Sequence, residues 1–144
     1  MEQLIEQMKV VLASTFSLYL KAHGYHWNVT GPNFSEYHSF FGDFYEGVHG
    51  SVDPIAEHIR ALGAYAPASL MRFTELTSVQ DESSIPQALV MIARLSLDNA
   101  KVLDEYRKAH ELASSLSQYG LINFIEGQID WHEKMAWQLK AFAG

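Results

Sequence analysis

The chain has 144 residues, of which 48% are apolar, and it carries a formal net charge of −7. This length suits one domain with a buried core, and the composition excludes a disordered chain. No apolar run is long enough to cross a membrane, an acidic surface disfavours nucleic-acid phosphates, and the absence of cysteine excludes disulfides and thiolate metal sites. We therefore expect a single domain over residues 1–144, located in the cytoplasm because the acidic N-terminus is unlike a secretory signal.

Apolar residues recur at helical spacing along most of the chain, and no alternating strand pattern is present. The first helix is predicted over Glu2–Trp27. Turn-forming residues follow at Asn28–Asn33. A second helix is predicted over Phe34–Leu62, ending before Gly63.

A long connection follows, and we expect segment 64–84 to cross over with a short helix at Leu70–Leu76. The third helix is predicted to begin at a cap on Ser83 or Ser84, and a fourth to follow a break at Ser114–Gly120. Four long helices with one long central connection predict an all-α, ferritin-like four-helix bundle in which the second and third helices run parallel.

Histidines and carboxylates are concentrated in the first part of the chain. His23 and His26 lie three residues apart, Asp53 and Glu57 lie four apart, and His38 lies between the two pairs. Helical residues at these spacings share one face. Imidazole and carboxylate ligands together suit iron, manganese or zinc. The pattern therefore predicts a metal site.

The spacing within the second helix predicts that the site needs two chains. His38 and Asp53 would lie about 22 Å apart along one helix, too far to bind one ion. If a second copy of the helix packs antiparallel about a two-fold axis, His38 of one chain faces Asp53 and Glu57 of the other. Close approach at the midpoint of such a pairing would explain three glycines: Gly42, Gly47 and Gly50.

Two other arrangements are open. A di-iron centre inside one bundle needs two Glu-x-x-His motifs on different helices, and the chain offers one, at Glu46–His49. That arrangement is therefore disfavoured. Alternatively, Asp53 and Glu57 form interface salt bridges with Arg60 or Lys21.

The segment from His26 through Leu62 resembles the Dps family, the mini-ferritins described as DNA-binding proteins from starved cells. The resemblance rests on His-Trp-Asn-Val-Thr-Gly-Pro-Asn-Phe from His26, on His38, and on Asp-Pro-Ile-Ala-Glu-His-Ile-Arg-Ala-Leu from Asp53. The last helix is similar too, in His-Glu-Lys-Met-Ala-Trp-Gln-Leu from His132. The resemblance to the family extends over essentially the whole chain.

This resemblance implies a hollow homo-dodecamer built from two-fold dimers, with ferroxidase sites that take iron. His26 and His38 would come from one subunit, and Asp53 and Glu57 from its partner. It implies oxidation of Fe(II), by hydrogen peroxide in preference to oxygen, and storage of Fe(III) mineral, which gives iron homeostasis and protection from oxidative stress. Trp27 corresponds to a tryptophan beside the site and is predicted to scavenge stray oxidising equivalents.

The sequence departs from the family pattern at two positions. Many members carry Asp or Glu where this chain has Gly42, so a second iron would depend on water or on Asp43. Pro54 removes a helical hydrogen bond to Gly50 and is expected to kink the helix beside Asp53.

Other charged or titratable residues receive separate expectations. His23 suits either metal ligation or a place beside the ligands at the dimer seam. Glu126 and Asp130 are candidates for an iron-entry pore, with a solvated helix face as the alternative. We expect His132 to lie in the core and His110 to be solvated.

Two alternative functions remain open. A DNA-compacting nucleoid protein would use a flexible Lys-rich extension, whereas helix is predicted here almost from the first residue and the charge is acidic, so we expect no DNA binding. A non-catalytic metal-binding shell is consistent with Gly42 and Pro54.

Overall fold

The computed structural model describes all 144 residues as helices joined by loops, with no strand. In chain order the helices are α1 (Glu2–Asn28), α2 (Phe34–His49), α3 (Val52–Ala61), α4 (Leu70–Leu76), α5 (Ala88–Ser115) and α6 (Tyr119–Ala143). The bundle has four members: α1, the α2–α3 pair, α5 and α6. Helix α4 lies in the crossover between the second and third members. The predicted all-α four-helix architecture, with a short helix at Leu70–Leu76, is therefore confirmed.

One apolar face on each long helix builds the core. Helix α1 packs against α2 and α5, and α5 packs against α6. Full burial of one large apolar side chain contributes about 1.5–3 kcal/mol, so these faces dominate the folding energy. The largest side chains buried from solvent include Met8, Leu12, Phe41, Phe44, Leu95 and Tyr106. None of the helices is both long enough and apolar enough to span a membrane.

The second bundle member is interrupted, which corrects the expectation of one continuous helix over Phe34–Leu62. Helix α2 ends at His49, and α3 begins at Val52 after a turn at Gly50 and Ser51. Pro54 has no N–H to donate to the Gly50 carbonyl, so the helical ladder cannot continue through this turn. The expected effect of Pro54 is thus seen as an interruption of the helix just before Asp53.

The crossover runs alongside α1 in the same direction. Ser78 bonds to Ser14, with 3.1 Å between the two hydroxyl oxygens, and further along the Lys21 ammonium donates to the Gln80 carbonyl at 2.9 Å. Since α2 and α3 run back along α1, this return places the start of α5 at the end of the bundle where α2 starts. The parallel arrangement of these two members follows.

The predicted cap of the third long helix is wrong. Helix α5 begins at Ala88, with Gln87 rather than Ser83 or Ser84 at its N-cap. The Ser84 hydroxyl instead donates to the Glu82 carboxylate at 2.9 Å. Pro86 disfavours helical geometry at the residue before it, so the helix cannot extend back to either serine.

The start of the last helix also differs from the prediction. Helix α6 begins at Tyr119, and Gly120 lies inside its first turn rather than in the preceding break. Ser117, with a φ of 54°, makes the reversal between α5 and α6. Because Ser117 takes the left-handed conformation of the turn, Gly120 does not have to take it and lies within the helix.

Candidate metal centre

The loop between α1 and α2 brings two candidate ligands together. His26 lies in the last turn of α1 and His38 in the first turns of α2. Their imidazole rings stack with centroids 3.8 Å apart and planes inclined by 16°. Both side chains are half-buried. Residues twelve positions apart in sequence thus form one compact pair.

A reciprocal pair of hydrogen bonds sets the tautomer of both rings. The Nδ1 of His26 lies 2.7 Å from the His38 carbonyl oxygen, and the Nδ1 of His38 lies 2.7 Å from the His26 carbonyl oxygen. A carbonyl oxygen only accepts, so each Nδ1 carries the proton. In the neutral ring the lone pair is then on Nε2. Metal-ligating histidines are commonly oriented by a bond of this kind on their other nitrogen.

Gly42 makes room for the first of these rings. A Cβ at this position would lie 3.2 Å from both Cε1 and Nδ1 of His26. This is tighter than ordinary van der Waals contact. On the far side, the ring of Phe34 stacks on His38 with centroids 5.0 Å apart. The absence of a side chain at Gly42 therefore accommodates the imidazole of His26.

Two of the three glycines expected at the two-fold seam are close to a side chain of their own subunit, and their role at the seam stays a prediction. A Cβ on Gly47 would overlap the indole of Trp131 from α6 in the same chain. Around Gly50 only its own helix backbone is near. At Gly42 and Gly47 the close approach is thus between a helix backbone and a side chain of the same subunit.

His23 lies beside the pair in an aromatic cluster. Its ring is parallel to Tyr45, with centroids 3.8 Å apart and planes inclined by 9°, and the indole of Trp27 lies at 4.1 Å. The Tyr19 hydroxyl oxygen is 3.0 Å from His23 Nδ1. Burial lowers the pKa of His23 most, and neighbouring His26 adds to the effect. Trp27 itself is 60% exposed.

The two predicted carboxylate ligands project from α3 into solvent. Asp53 and Glu57 are exposed and form no salt bridge within the chain. Lys21 is not available to them within the subunit, because it is buried against Asp98 at 2.8 Å. Arg60 donates to the Ala64 carbonyl at 3.1 Å. The acids are therefore free to act outside their own chain.

A single chain does not bring the four predicted ligands together. No group of three or more His, Asp or Glu side chains lies close enough to hold a metal ion. Glu46 and His49, the one Glu-x-x-His motif, are exposed rather than directed into the bundle. The interior contains His132 instead, as expected. Its Nδ1 donates to the Asn99 side-chain oxygen at 2.6 Å, and burial lowers its pKa to about 3.

The pore candidates are paired with basic groups. Glu126 lies 2.8 Å from His110 Nε2, and Asp130 lies 3.1 Å from the Lys134 ammonium. His110 is therefore not simply solvated, contrary to expectation. Asp43, on α2, is exposed. The aromatic cluster around His23 also contains Tyr19 and Tyr45, which were not predicted from the sequence. Their only signal was their helical spacing to the histidines.

These features define a ferritin-like four-helix bundle with candidate metal ligands on α1, α2 and α3. The ferritin-like domain profile matches residues 5–144. The DNA protection during starvation protein 2 of Bacillus anthracis is 30% identical over 98% of this chain and 97% of its own. A low temperature-induced protein of Nostoc is 31% identical over 91% of this chain and 74% of its own.

Solved structures agree with this assignment. The crystal structure of a Dps protein from Bacillus brevis has a TM-score of 0.95 at 26% identity, over 99% of this chain and 96% of that chain. Dps from Staphylococcus aureus has a TM-score of 0.95 at 25% identity, over 100% and 97%. The chain belongs to the ferritin-like Dps family.

Proposed function

We propose that this protein is a mini-ferritin that oxidises Fe(II) and stores the Fe(III) product in a hollow shell, protecting the cell from iron and peroxide. The observation that carries the proposal is the fixed tautomer of the stacked histidines. Because both Nδ1 atoms are engaged, the Nε2 atoms of His26 and His38 are available as ligands. Membership of the Dps family supports iron storage and protection in general.

The site is completed by a second copy of the chain. His26 and His38 of one subunit would face Asp53 and Glu57 of a partner related by a two-fold axis. The exposure of both acids and their lack of partners within the chain support this arrangement. The family resemblance extends it to a dodecamer of such dimers.

The mixed ligand set suits iron in both oxidation states. Imidazole is a good ligand for Fe(II), and the carboxylates of Asp53 and Glu57 favour the harder Fe(III). Hydrogen peroxide is the proposed oxidant, since its removal together with Fe(II) prevents hydroxyl-radical formation. Gly42 offers no carboxylate for a second iron, and Asp43 would have to supply one. Trp27 is proposed to intercept stray oxidising equivalents.

A complementation experiment tests the shared site. One variant, His38→Ala, removes a ligand from the histidine half, and the double variant Asp53→Ala, Glu57→Ala removes the acidic half. Each alone should lose fast peroxide-dependent oxidation of Fe(II). Random co-assembly of the two, purified through different tags, makes about half of the dimers mixed. One of the two sites in each mixed dimer is intact, so about a quarter of the wild-type rate should return.

The control replaces Asp53→Ala, Glu57→Ala by Glu2→Ala, Glu6→Ala, an exposed acidic pair at the same spacing on α1. This control should oxidise Fe(II) at the wild-type rate. Unimpaired oxidation in the Asp53→Ala, Glu57→Ala shell would contradict the assignment. A shell that binds Fe(II) without accelerating its oxidation would instead favour the non-catalytic metal-binding shell. No recovery in the mixed shells would contradict sharing between subunits.

A further inference from the structure

Three side chains that can be oxidised lie around the histidine pair, and their hydrogen bonding differs. The Tyr19 hydroxyl is bonded to His23 Nδ1 at 3.0 Å. The Tyr45 hydroxyl and the Trp27 indole N–H make no hydrogen bond within the chain. Tyr19 therefore has a base within reach of its proton, and the other two do not.

The Tyr19 hydroxyl is the donor in this bond. A phenolic O–H is more acidic than a neutral imidazole N–H, and the imidazole nitrogen is the stronger base. An oxidised phenol becomes a very strong acid, so loss of an electron is easier when the proton can pass at once to a neighbouring base. Tyr25, the other bonded tyrosine, donates instead to the carboxylate of Glu82, whose pKa is lowered to about 2.

Aromatic rings connect Tyr19 to the candidate ligands without a gap. The centroids of Tyr19 and Tyr45 are 6.1 Å apart, and those of Tyr45 and His26 are 5.3 Å apart. The imidazole of His23, the base that faces Tyr19, also stacks on the ring of Tyr45, with centroids 3.8 Å apart. All four side chains are half-buried. Short steps between packed rings favour electron transfer from Tyr19 to the site.

A site that holds one iron is one electron short for the reduction of peroxide, and the aromatic rings connect it to a donor. Reduction of one peroxide to water takes two electrons, whereas one Fe(II) supplies one. Gly42 leaves no carboxylate for a second iron, and its open space is filled by the His26 ring. We propose that Tyr19 supplies the second electron when one iron is bound, while its proton passes to His23; this inference rests on the proposed function.

The proposed step conserves atoms, charge and electrons. Fe(II), the Tyr19 phenol, neutral His23, one hydrogen peroxide and two protons from solvent give Fe(III), the Tyr19 phenoxyl radical, protonated His23 and two water molecules. The O–O bond breaks, iron and tyrosine are each oxidised by one electron, and peroxide is reduced by two. A later Fe(II) ion returns an electron to the radical, and His23 returns the proton, which restores the pair. No free hydroxyl radical is released.

The test follows radicals and iron in the same samples. The assembled protein is loaded with one Fe(II) per subunit, mixed with hydrogen peroxide and freeze-quenched for electron paramagnetic resonance. Ferrous iron is measured in parallel with a colorimetric chelator, and hydroxyl radical with a spin trap. We expect a tyrosyl radical in the wild type, with a coupling from one exchangeable hydrogen-bonded proton that changes in D2O.

Matched variants assign the radical. Tyr19→Phe should reduce the tyrosyl signal to background and raise the spin-trap adduct severalfold, while Tyr45→Phe and Tyr37→Phe should keep the wild-type radical. His23→Phe keeps a ring against Tyr45 and should remove the coupling to the exchangeable proton. These readouts concern the radical itself, so a merely structural effect of Tyr19 on iron binding would not reproduce them.

The role of Tyr19 can be refuted without refuting the oxidation of Fe(II) by this protein. Wild-type oxidation of Fe(II) without a tyrosyl radical, or with a radical that persists in Tyr19→Phe, would overturn the role of Tyr19 and leave ferroxidation standing. A tryptophanyl radical on Trp27 in its place would do the same. Failure of the wild type to accelerate Fe(II) oxidation at all would overturn both.

Discussion

His26 and His38 each donate their Nδ1–H to the other's backbone carbonyl, at 2.7 Å in both directions. The bonds join the end of α1 to the start of α2, so the same contact closes the loop and orients the rings. Since both Nδ1 atoms face protein, each Nε2 is left for a ligand from outside the chain.

The reciprocal bonds separate the structural and the ligand role of His38. In His38→Asn, the amide nitrogen occupies roughly the place of Nδ1 and keeps the bond to the His26 carbonyl, but no atom replaces Nε2. We expect thermal unfolding close to wild type and loss of Fe(II) binding by titration calorimetry. His38→Ala should lose both, with about 0.5–1.5 kcal/mol less stability. Wild-type Fe(II) affinity in His38→Asn would exclude Nε2 as a ligand atom.

The contact of Gly47 with Trp131 predicts opposite effects of one substitution at two helical glycines. Gly47→Ala forces the Trp131 indole to move and should destabilise the fold by about 1–3 kcal/mol. Gly127→Ala is the control, because a Cβ there meets nothing within 4 Å. It should stabilise the fold by about 0.5–1 kcal/mol through helix propensity. Chemical denaturation measures both, and equal effects would show that the indole does not constrain position 47.

The buried His132 predicts loss of stability in acid. Its pKa is about 3 in the fold and 6.5 when free, so the unfolded state binds a proton that the folded state refuses between these values. Stability is therefore fully present above pH 6.5 and declines as the pH falls towards 3, by about 4–5 kcal/mol in total. Denaturation at several pH values in this range gives the free energy of unfolding as a function of pH. This free energy should depend less on pH in His132→Gln than in the wild type. An unchanged slope in the variant would assign the acid sensitivity to other groups.

The crossover is anchored by Glu82, which accepts hydrogen bonds from Tyr25, Arg94 and Ser84. The Tyr25 bond contributes most to lowering the pKa of Glu82 to about 2 from 4.5. The ionised carboxylate thus stabilises the fold fully above pH 4.5, and this contribution is lost as the pH falls through 2. Glu82→Gln should cost about 1.5–3 kcal/mol at neutral pH.

The control for this substitution is Glu75→Gln, whose exposed pair with Arg72 is worth at most about 1 kcal/mol. Thermal unfolding at several pH values compares the two variants with wild type. The deficit of Glu82→Gln should shrink between pH 4.5 and 2. A deficit that persists unchanged at pH 2 would contradict the ionic origin of the anchoring.

The acidic charge predicts weak interaction with nucleic acid. With a net charge of −7 per chain, the assembled shell should repel phosphates, and we expect no gel shift of duplex DNA at physiological salt. The matched control is the same shell with an added Lys-rich N-terminal extension, which should bind and should release DNA as salt increases. A clear shift by the unmodified shell would support the DNA-compacting alternative.

Much of the fold was predictable because its cause is local or periodic. Apolar residues at helical spacing predict the bundle, since burying those faces dominates folding. The interruption before Asp53 follows from Pro54, because a missing N–H acts within one turn. Where two local signals competed, prediction failed: Ser84 suits a helix cap, but Glu82 captures its hydroxyl and Pro86 stops the helix.

His26 and His38 show which features depend on the sequence alone and which depend on the tertiary structure. The sequence by itself determined the helical bundle, the types of ligand and the distance that keeps His38 from Asp53 in one chain. Only the tertiary structure decided that the Nδ1 atoms of His26 and His38 are bonded to backbone carbonyls, that Gly42 makes room for His26, and that Tyr19 bonds to His23. The reason is physical. Helical spacing is carried by neighbours in sequence, whereas tautomers, clearances and hydrogen bonds depend on groups that meet only when the helices pack.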